Sequence, residues 1–470
     1  MPRGIAIIGA SSHKGSMGYQ VMSHATRMHF NGGIYPINPK ADEILGCRCY
    51  PNISEVDAPV DLVLLLLKAE LCPSVAEEIA ARRKARGDVG AVIVGSAGFG
   101  ELGTDEGRAR QRCLVDTLNA VGTRVIGPNC VGVVDLYHGV NTTFTAPPDI
   151  NKGGISIISQ SGAFATAYLR WSRELGLIGV NKFISVGNMA DVSIIELLDY
   201  LKDDENTKVV FIYLEGLPEA RALMEVAAEV TKVKPVVLLK SGRTAMGSKV
   251  AQSHTSSIAG NDAIYAGAFE QAGILRADTV TQLFNTSRVF DKQPLPKGNR
   301  ICVVTVVGGP SIICVDKLYE RGDTCMAALS DALKEKLHAI VSPSAVVGKP
   351  EGFIDLTASV SEQLHYDVLH LLMEDKDIDG IIFLTTPPGY INEEKMCDAI
   401  IRAYNSVAEA DRKPLLTVML SGSDVKVSRK LLEAANLPTF EYPDDAAVVM
   451  SDLVKYAAYR QRITKEKEGE

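Results

Sequence analysis

The chain has 470 residues, 46% hydrophobic and 23% charged, which suits several folded cores and excludes disorder as its main state. Lys+Arg 49 against Asp+Glu 57 gives a net charge of −8, which argues against general nucleic-acid binding, since that needs a basic surface. The longest apolar run, Val60 to Leu67 broken by Asp61, is too short to cross a membrane.

In chain order, apolar strands are predicted at residues 5–8, 33–37, 62–67, 91–94 and 124–126, with helical stretches such as 72–84 and 105–120 between them. Alternation of this kind predicts a doubly wound parallel sheet. A first domain is expected over 1–148, ending near Thr145-Ala-Pro-Pro-Asp149. Strand 154–158 opens a second, over 149–291. A third, over 298–470, follows the Pro/Gly/Lys stretch Lys292-Gln-Pro-Leu-Pro-Lys-Gly298. No leader precedes the first strand, so a cytoplasmic chain is expected, its nine cysteines reduced thiols. Cys47-x-Cys49, the only tight pair, reads as structural.

Domains two and three share three landmarks in one order. Ile155-Ser-Ile-Ile-Ser-Gln-Ser-Gly162 matches Ile301-Cys-Val-Val-Thr-Val-Val-Gly308. Val209-Val-Phe-Ile-Tyr213 parallels Gly380-Ile-Ile-Phe-Leu384. Lys234-Pro through Ser-Gly242 parallels Lys413-Pro through Ser-Gly422. A duplicated α/β domain is predicted. The copies part after Ser-Gly: the first continues through Arg243 to Ser253-His254-Thr255-Ser-Ser-Ile-Ala-Gly260, the second into a charged helix over 424–435. Any chemistry of His254 belongs to one copy.

Gly9-Ala10-Ser11-Ser12-His13-Lys14-Gly15-Ser16-Met17-Gly18 follows the first strand and opens a helix. There a doubly wound sheet binds phosphates on free backbone amides. The spacing is not that of G-x-G-x-x-G, but Lys14 and the hydroxyls suit a nucleotide with several phosphates. Lys40, after the second strand, sits where a positive group meets a ribose phosphate. Gly95-Ser-Ala-Gly98-Phe-Gly100 and Gly127-Pro-Asn129-Cys130 fall on the same carboxyl edge. A tight turn is the plainer reading of each loop alone.

Ser159-Gln160-Ser161-Gly162-Ala163 repeats the strand–loop–helix pattern, with amides and hydroxyls to cradle a tetrahedral anion. In the third domain Pro310 removes one donor from the matching loop. His254 sits in a loop among Ser253, Thr255, Ser256, Ser257 and Gly260, and Gly247 and Gly260 would let that loop move. A neutral imidazole is a good nucleophile toward phosphoryl groups near neutral pH. It needs a partner on its other nitrogen, and Glu215, closing strand 209–214, is the best candidate. Capping a helix is that carboxylate's plainer role. There is no P-loop: Gly242 to Lys249 misses by one position. HExxH and G-x-S-x-G are absent too, and no metal site is expected.

Together these residues resemble the α subunit of nucleoside-diphosphate-forming acyl-CoA synthetases. That group includes the α subunits of succinyl-CoA synthetase and of ADP-forming acetyl-CoA synthetase. The matches are Gly9-Ala-Ser-Ser12, Ile37-Asn-Pro-Lys40, Gly127-Pro-Asn-Cys130, Ile158-Ser-Gln-Ser-Gly-Ala163, Leu214-Glu215-Gly216 and Ser253-His-Thr-Ser-Ser-Ile-Ala-Gly260. They cover nearly the whole chain, because the third domain belongs to the ADP-forming type. The resemblance implies an α/β fold, with an N-terminal Rossmann-like CoA-binding domain followed by two duplicated flavodoxin-like doubly wound domains. It implies CoA on Gly9, Ser11, Ser12, Lys14, Gly15, Ser16, Lys40 and Asn129. It implies phosphate at Ser159, Gln160, Ser161 and Gly162, a phosphohistidine at His254, and Glu215 as its orienting carboxylate.

The implied activity is that of an acid–thiol ligase. It interconverts acyl-CoA, ADP and phosphate with a small organic acid, CoA and ATP. The ATP-grasp portion that holds Mg²⁺ and ADP or ATP is missing, so an ATP-grasp β subunit is the expected partner, in an α2β2 assembly. The third domain departs from the family pattern at Val306-Val307 and at an insertion in Lys349-Pro-Glu-Gly-Phe-Ile-Asp-Leu356. Two other readings are a non-catalytic CoA- or acyl-CoA-binding regulatory protein and a nucleotide-independent acyl-CoA transferase.

Overall fold

The computed structural model describes residues 1–145, 149–175, 178–217, 219–255 and 262–468. They divide into two compact units, Met1–Asp278 and Thr279–Glu470.

The first unit holds two large sheets, beside a two-stranded antiparallel pair of Glu43–Ile44 with Cys47–Arg48. The first comprises β1 (Gly4–Ile8), β2 (Gly33–Ile37), β3 (Leu62–Leu65), β4 (Ala91–Val94) and β5 (Arg124–Ile126). All are parallel, in the order β2-β1-β3-β4-β5. Helices α1 (Met17–Arg27), α2 (Cys72–Arg86) and α3 (Asp105–Asn119) connect them. Alternate residues of each strand serve opposite faces. Ala6, Val63 and Val92 join a core with Ile79 and Leu118; Ile5, Ile7 and Ile93 join one with Val21 and Met22. Unbroken apolar runs are needed because both faces are covered. One buried ion pair anchors this domain: Arg82 meets Asp88 at 2.7 Å and donates to the carbonyls of Ile53 and Val56.

The second sheet contains β6 (Val133–Asp135), β7 (Val140–Asn141), β8 (Lys152–Ser159), β9 (Val180–Ser185), β10 (Val209–Leu214), β11 (Val236–Lys240) and β12 (Leu275–Ala277), in the order β12-β11-β10-β8-β9-β6-β7. Its helices are α4 (Gly162–Leu175), α5 (Ile194–Lys202), α6 (Ala220–Val230), α7 (Ala245–Thr255) and α8 (Asp262–Gln271). The parallel strands, taken in sequence, stand in the flavodoxin-like order 2-1-3-4-5. The sequence groups residues 133–141 with the first domain, but here β6 pairs antiparallel with β9 and extends the second sheet. So short a strand, with one fully buried side chain at Val134, carries no signal for one sheet over the other.

The second unit opens with α9 (Val280–Lys292). The sequence closes the second domain at 291, whereas the contact boundary falls before Thr279. Partners within this unit explain the difference. Asp452, in the helix Pro443–Glu468, accepts from Gln282 Nε2 at 3.0 Å and from Thr286 Oγ1 at 2.8 Å. Arg288 donates to the carbonyl of Thr439 at 2.6 Å. The principal strands β13 (Arg300–Thr305), β14 (Phe353–Asp355), β15 (Gly380–Thr385), β16 (Leu415–Met419) and β17 (Thr439–Phe440) run parallel in the order β14-β13-β15-β16-β17. That repeats the 2-1-3-4-5 order and gives the predicted duplication a topological basis. Helix α10 (Gly308–Arg321) follows β13, as α4 follows β8.

Candidate active site

Every glycine-rich loop singled out in the sequence lies at the carboxyl end of a parallel strand. In the first sheet, Ser16 caps α1 by accepting from the N–H of Tyr19. Ser11 Oγ accepts from the N–H of His13. A Cβ at Gly18 would lie 2.1 Å from the carbonyl oxygen of Gly9, so only glycine lets the helix start close over the strand end. The loop after β2 is tied to this one: Asn38 Nδ2 donates to the carbonyl of Ala10 at 2.8 Å, while Asn38 Oδ1 accepts from the N–H of Lys40 at 2.9 Å. The structure thus brings Gly9–Ser16 and Lys40 to one edge, with Ser12, Lys14, Gly15 and Lys40 exposed. Free amides of a helix start and two solvated ammonium groups suit an anion.

Asn129 lies after β5, exposed, with its N–H on the carbonyl of Ser96. Beside it, burial pushes the Cys130 thiol up to about 12, which removes it as a nucleophile near neutral pH.

A turn of the second sheet joins the two edges. Asn188 Nδ2 donates to Glu101 Oε2 at 2.6 Å and to Gln111 Oε1 at 3.0 Å, and its N–H bonds the carbonyl of Pro128. Burial raises the Glu101 carboxyl, but Asn188 and the N–H groups of Gly98 and Phe99 outweigh it and hold the group below its usual range. Gln160 Nε2 reaches Met189 Sδ at 3.8 Å.

Ser159 to Gly162 form the turn from β8 into α4. Ser159 Oγ donates to the carbonyl of Ser161 at 2.7 Å, and Ser161 Oγ accepts from the N–H of Phe164 at 3.3 Å. The first-turn amides of α4 have no helical acceptor, the arrangement that suits an anion at a helix start. Gly162 must be glycine, since a Cβ there would lie 1.9 Å from Val131 Cγ2. The Gln160 side chain is committed elsewhere: its Oε1 accepts from the N–H of Glu215 at 2.5 Å and of Gly216 at 3.1 Å. The Ser159–Gly162 turn and Glu215 are therefore direct neighbours. Glu215 is buried, 7% exposed, beside the Tyr213 hydroxyl.

His254 has its backbone in the last turn of α7, where the sequence suggests a loop. Thr244 starts this helix by accepting from the N–H of Gly247 at 3.0 Å, and Ala, Met, Lys and Gln carry it onward. Gly247 is thus helical rather than a loop hinge. The helix packs near the Gly100–Leu102 turn of the first sheet. The His254 side chain and the stretch 256–260 lie outside the described residues.

Sequence reading missed Lys240, Asn188 and Glu101. Lys240 carries a signal, a cation at the end of an otherwise apolar buried strand. Asn188 and Glu101 carry none, because their roles depend on how the two sheets meet. In the third sheet, Thr305 Oγ1 donates to the carbonyl of Val307 at 2.8 Å, as Ser159 does in the second. A cleft of about 980 Å³ opens between Arg300 and Lys413, at the amino edge of this sheet, away from its glycine loop. Among the described residues no group of His, Cys, Asp or Glu suits a metal ion, and no helix is long and apolar enough to cross a membrane.

Comparison with known proteins agrees with this geometry. Residues 3–135 match a CoA binding domain, and residues 152–290 a succinyl-CoA ligase like flavodoxin domain. The chain is 36% identical to the α subunit of acetate–CoA ligase (ADP-forming) II of Pyrococcus furiosus, over 97% of this chain and 96% of that one. It is 37% identical to acetate–CoA ligase (ADP-forming) of Methanocaldococcus jannaschii, over 97% of this chain but 62% of that longer one. Among solved structures, an acetyl-coenzyme A synthetase of Ca. Korarchaeum cryptofilum, in complex with phosphate and ADP, superposes with a TM-score of 0.91 at 31% identity, over 99% of this chain and 97% of that one. A Pyrococcus horikoshii protein superposes with a TM-score of 0.86 at 33% identity, over 98% of each.

Proposed function

The chain belongs to the α-subunit family of ADP-forming acetate–CoA ligases, and from that premise we propose that it carries the acyl-CoA and phosphate half of the reaction, with His254 as phosphoryl carrier. The first sheet's edge would hold CoA through Gly9, Ser11, Ser12, Lys14, Gly15, Ser16, Lys40 and Asn129. Inorganic phosphate would sit on the first-turn amides of α4, at Ser159, Ser161 and Gly162. A phosphate oxygen attacks the thioester carbonyl carbon, and the C–S bond breaks to release CoA as thiolate. The product is an acyl phosphate. The neutral imidazole of His254 then attacks phosphorus, and the organic acid leaves as carboxylate. Glu215 accepts from the other imidazole nitrogen and stabilises the positive charge that develops there. Hydroxyls and amides of the Ser159–Gly162 turn offset charge on the phosphoryl oxygens.

The phosphoryl group passes on to ADP. That step belongs to an ATP-grasp β subunit that binds Mg²⁺ and nucleotide, in an α2β2 enzyme working on a small organic acid. The M. jannaschii relative, of which this chain spans 62%, leaves room for such a portion in one polypeptide.

The observation that carries the reading is the contact between the anion-cradling turn and Glu215, made through Gln160 at 2.5 Å. The test is phosphorylation. The chain, purified with whatever copurifies, is exposed to Mg-ATP and separately to inorganic phosphate plus acetyl-CoA. Acid-labile, alkali-stable phosphate is sought by mass spectrometry, with His254→Ala as control. Label on His254 from acetyl-CoA and phosphate, and from ATP only when a second subunit copurifies, is the expected result. No label from either donor, with CoA still bound, would leave a binding protein.

A further inference from the structure

Gln160, Glu215 and Lys240 stand at the carboxyl ends of three neighbouring strands, β8, β10 and β11. The N–H of Glu215 donates to Gln160 Oε1 at 2.5 Å, and its carbonyl accepts from Lys240 Nζ at 2.7 Å. Gly216 is held in the same way: its N–H donates to Gln160 Oε1 at 3.1 Å, and its carbonyl accepts from Gln160 Nε2 at 2.8 Å. Lys240 also donates to the carbonyl of Ser241 and lies 5.3 Å from the centre of the Tyr265 ring. Two side chains, rather than sheet bonds, therefore set the backbone on both sides of the Glu215 carboxylate.

The third domain supplies an internal control. Ser159 pairs with Tyr213, and Leu214 with Lys240; likewise Thr305 pairs with Leu384, and Thr385 with Met419. The strand-end bonds repeat as well. Gln160 N–H reaches the carbonyl of Tyr213 at 3.2 Å, and Val306 N–H that of Leu384 at 3.1 Å. Ser241 N–H reaches the carbonyl of Leu214 at 2.9 Å, and Leu420 N–H that of Thr385 at 3.2 Å. By register, Val306, Thr386 and Met419 hold the places of Gln160, Glu215 and Lys240. The same strand ends form with no amide, carboxylate or ammonium. Burying an ammonium is costly, and burial lowers the Lys240 group from its ordinary value. The fold does not require that cost, since Met419 meets the same backbone geometry without it.

We propose that Lys240 and Gln160 are positioning residues that hold Glu215 in place for phosphoryl transfer, a role that rests on the phosphohistidine reading above. Lys240 acts through the Glu215 carbonyl and through its charge, which faces the Glu215 and Asp262 carboxylates and the Arg276 guanidinium. Gln160 acts through the two N–H groups. Neither touches the reacting atoms.

The test uses the enzyme with its copurifying subunit. Lys240→Met and Gln160→Val install the side chains of the third domain. Single-turnover labelling of His254 from inorganic phosphate and acetyl-CoA should slow about 10- to 100-fold, the range for losing an outer partner of an oriented catalytic group. KM for acetyl-CoA and the thermal midpoint should stay near wild type, and Lys240→Arg should recover part of the rate. Hydrogen exchange at the Glu215 and Gly216 amides should quicken in both variants. A wild-type labelling rate in Lys240→Met overturns the proposal. So does a loss that tracks loss of folded protein and is not recovered by Lys240→Arg. If the wild-type chain takes no label, the phosphohistidine reading falls alone; unchanged amide exchange in the variants would then overturn the clamp as well.

Discussion

Lys234 and Lys413 close the ends of two different helices in the same way. Lys234 Nζ donates to the carbonyl of Leu201, in the last turn of α5, at 2.7 Å and to that of Asp204, just beyond it, at 2.6 Å. Lys413 Nζ donates to the carbonyl of Leu372 at 3.1 Å and to that of Asp375, at the end of the helix Glu362–Glu374. Each ammonium satisfies terminal carbonyls that no helical N–H can reach and meets the negative end of the helix dipole. The Lys-Pro pair that marks the duplication is therefore architectural in both domains. Lys240, six residues beyond Lys234 in the sequence, has no cationic counterpart at Met419.

Burial of Lys413 makes the third domain's stability depend on pH. Desolvation lowers this ammonium from 10.5 to about 8. Between those values the unfolded chain keeps a proton that the folded chain has released, so stability rises with pH across that window. Below pH 8 the cost of burying the charge is present in full. Replacing Lys413 by Met removes the linkage. Denaturant unfolding of wild type should show a slope steeper by up to about 1.4 kcal/mol per pH unit than that of Lys413→Met in this window. Identical slopes would remove Lys413 as the titrating group.

Arg82 and Asp88 are 1% and 5% exposed at their side chains, and the arginine also serves the carbonyls of Ile53, Val56 and Ala58. Removing one partner leaves a buried charge without its counter-ion. Asp88→Ala should cost about 3–5 kcal/mol of first-domain stability, read by chemical denaturation. A loss below about 1 kcal/mol, as at a surface pair, would mean that water reaches the guanidinium.

The two lysines at the first sheet's edge should be separable by ligand. Both are exposed, so each is worth roughly 1 kcal/mol, about fivefold in CoA affinity, and less in high salt. If Lys40 meets the ribose phosphate, Lys40→Ala weakens CoA but not 3′-dephospho-CoA, whereas Lys14→Ala weakens both. Titration calorimetry with the two ligands decides. Gly18→Ala is a harsher change, because its Cβ would lie 2.1 Å from the carbonyl oxygen of Gly9; both ligands should then be lost together.

Much of this was legible in the sequence, and the limits have physical causes. Parallel strands buried on both faces are unbroken apolar runs, so β1 to β5 stood out, with glycine loops after β1, β4 and β5. The duplication was legible because Lys234 and Lys413 do the same work on the same scaffold. The use of Gln160 was not. Its place after β8 suggested an anion ligand, but its side chain turns to the peptide after β10, and cross-strand register is invisible in one sequence. Asn188 and Glu101 were hidden for a similar reason, since their partners come from different sheets of one unit. The helix through His254 was masked by hydroxyl-rich composition, although Thr244 and the residues after it are ordinary helix starters and formers.

Glu215 and His254 should behave as one device rather than as two contributors. If the carboxylate only orients the imidazole and stabilises its charge, it has nothing to act on once the imidazole is gone. Glu215→Gln keeps the size of the side chain but presents an amide that can fix the wrong tautomer; labelling of His254 should fall by up to about 10⁴-fold with CoA affinity unchanged. His254→Ala should abolish labelling and turnover while CoA still binds at the first sheet's edge. The double variant should then match His254→Ala in residual turnover, because effects within a catalytic unit do not add. Additive losses would assign Glu215 a separate task, such as holding the cradle at Ser161, and equal loss of CoA binding in His254→Ala would make that residue structural.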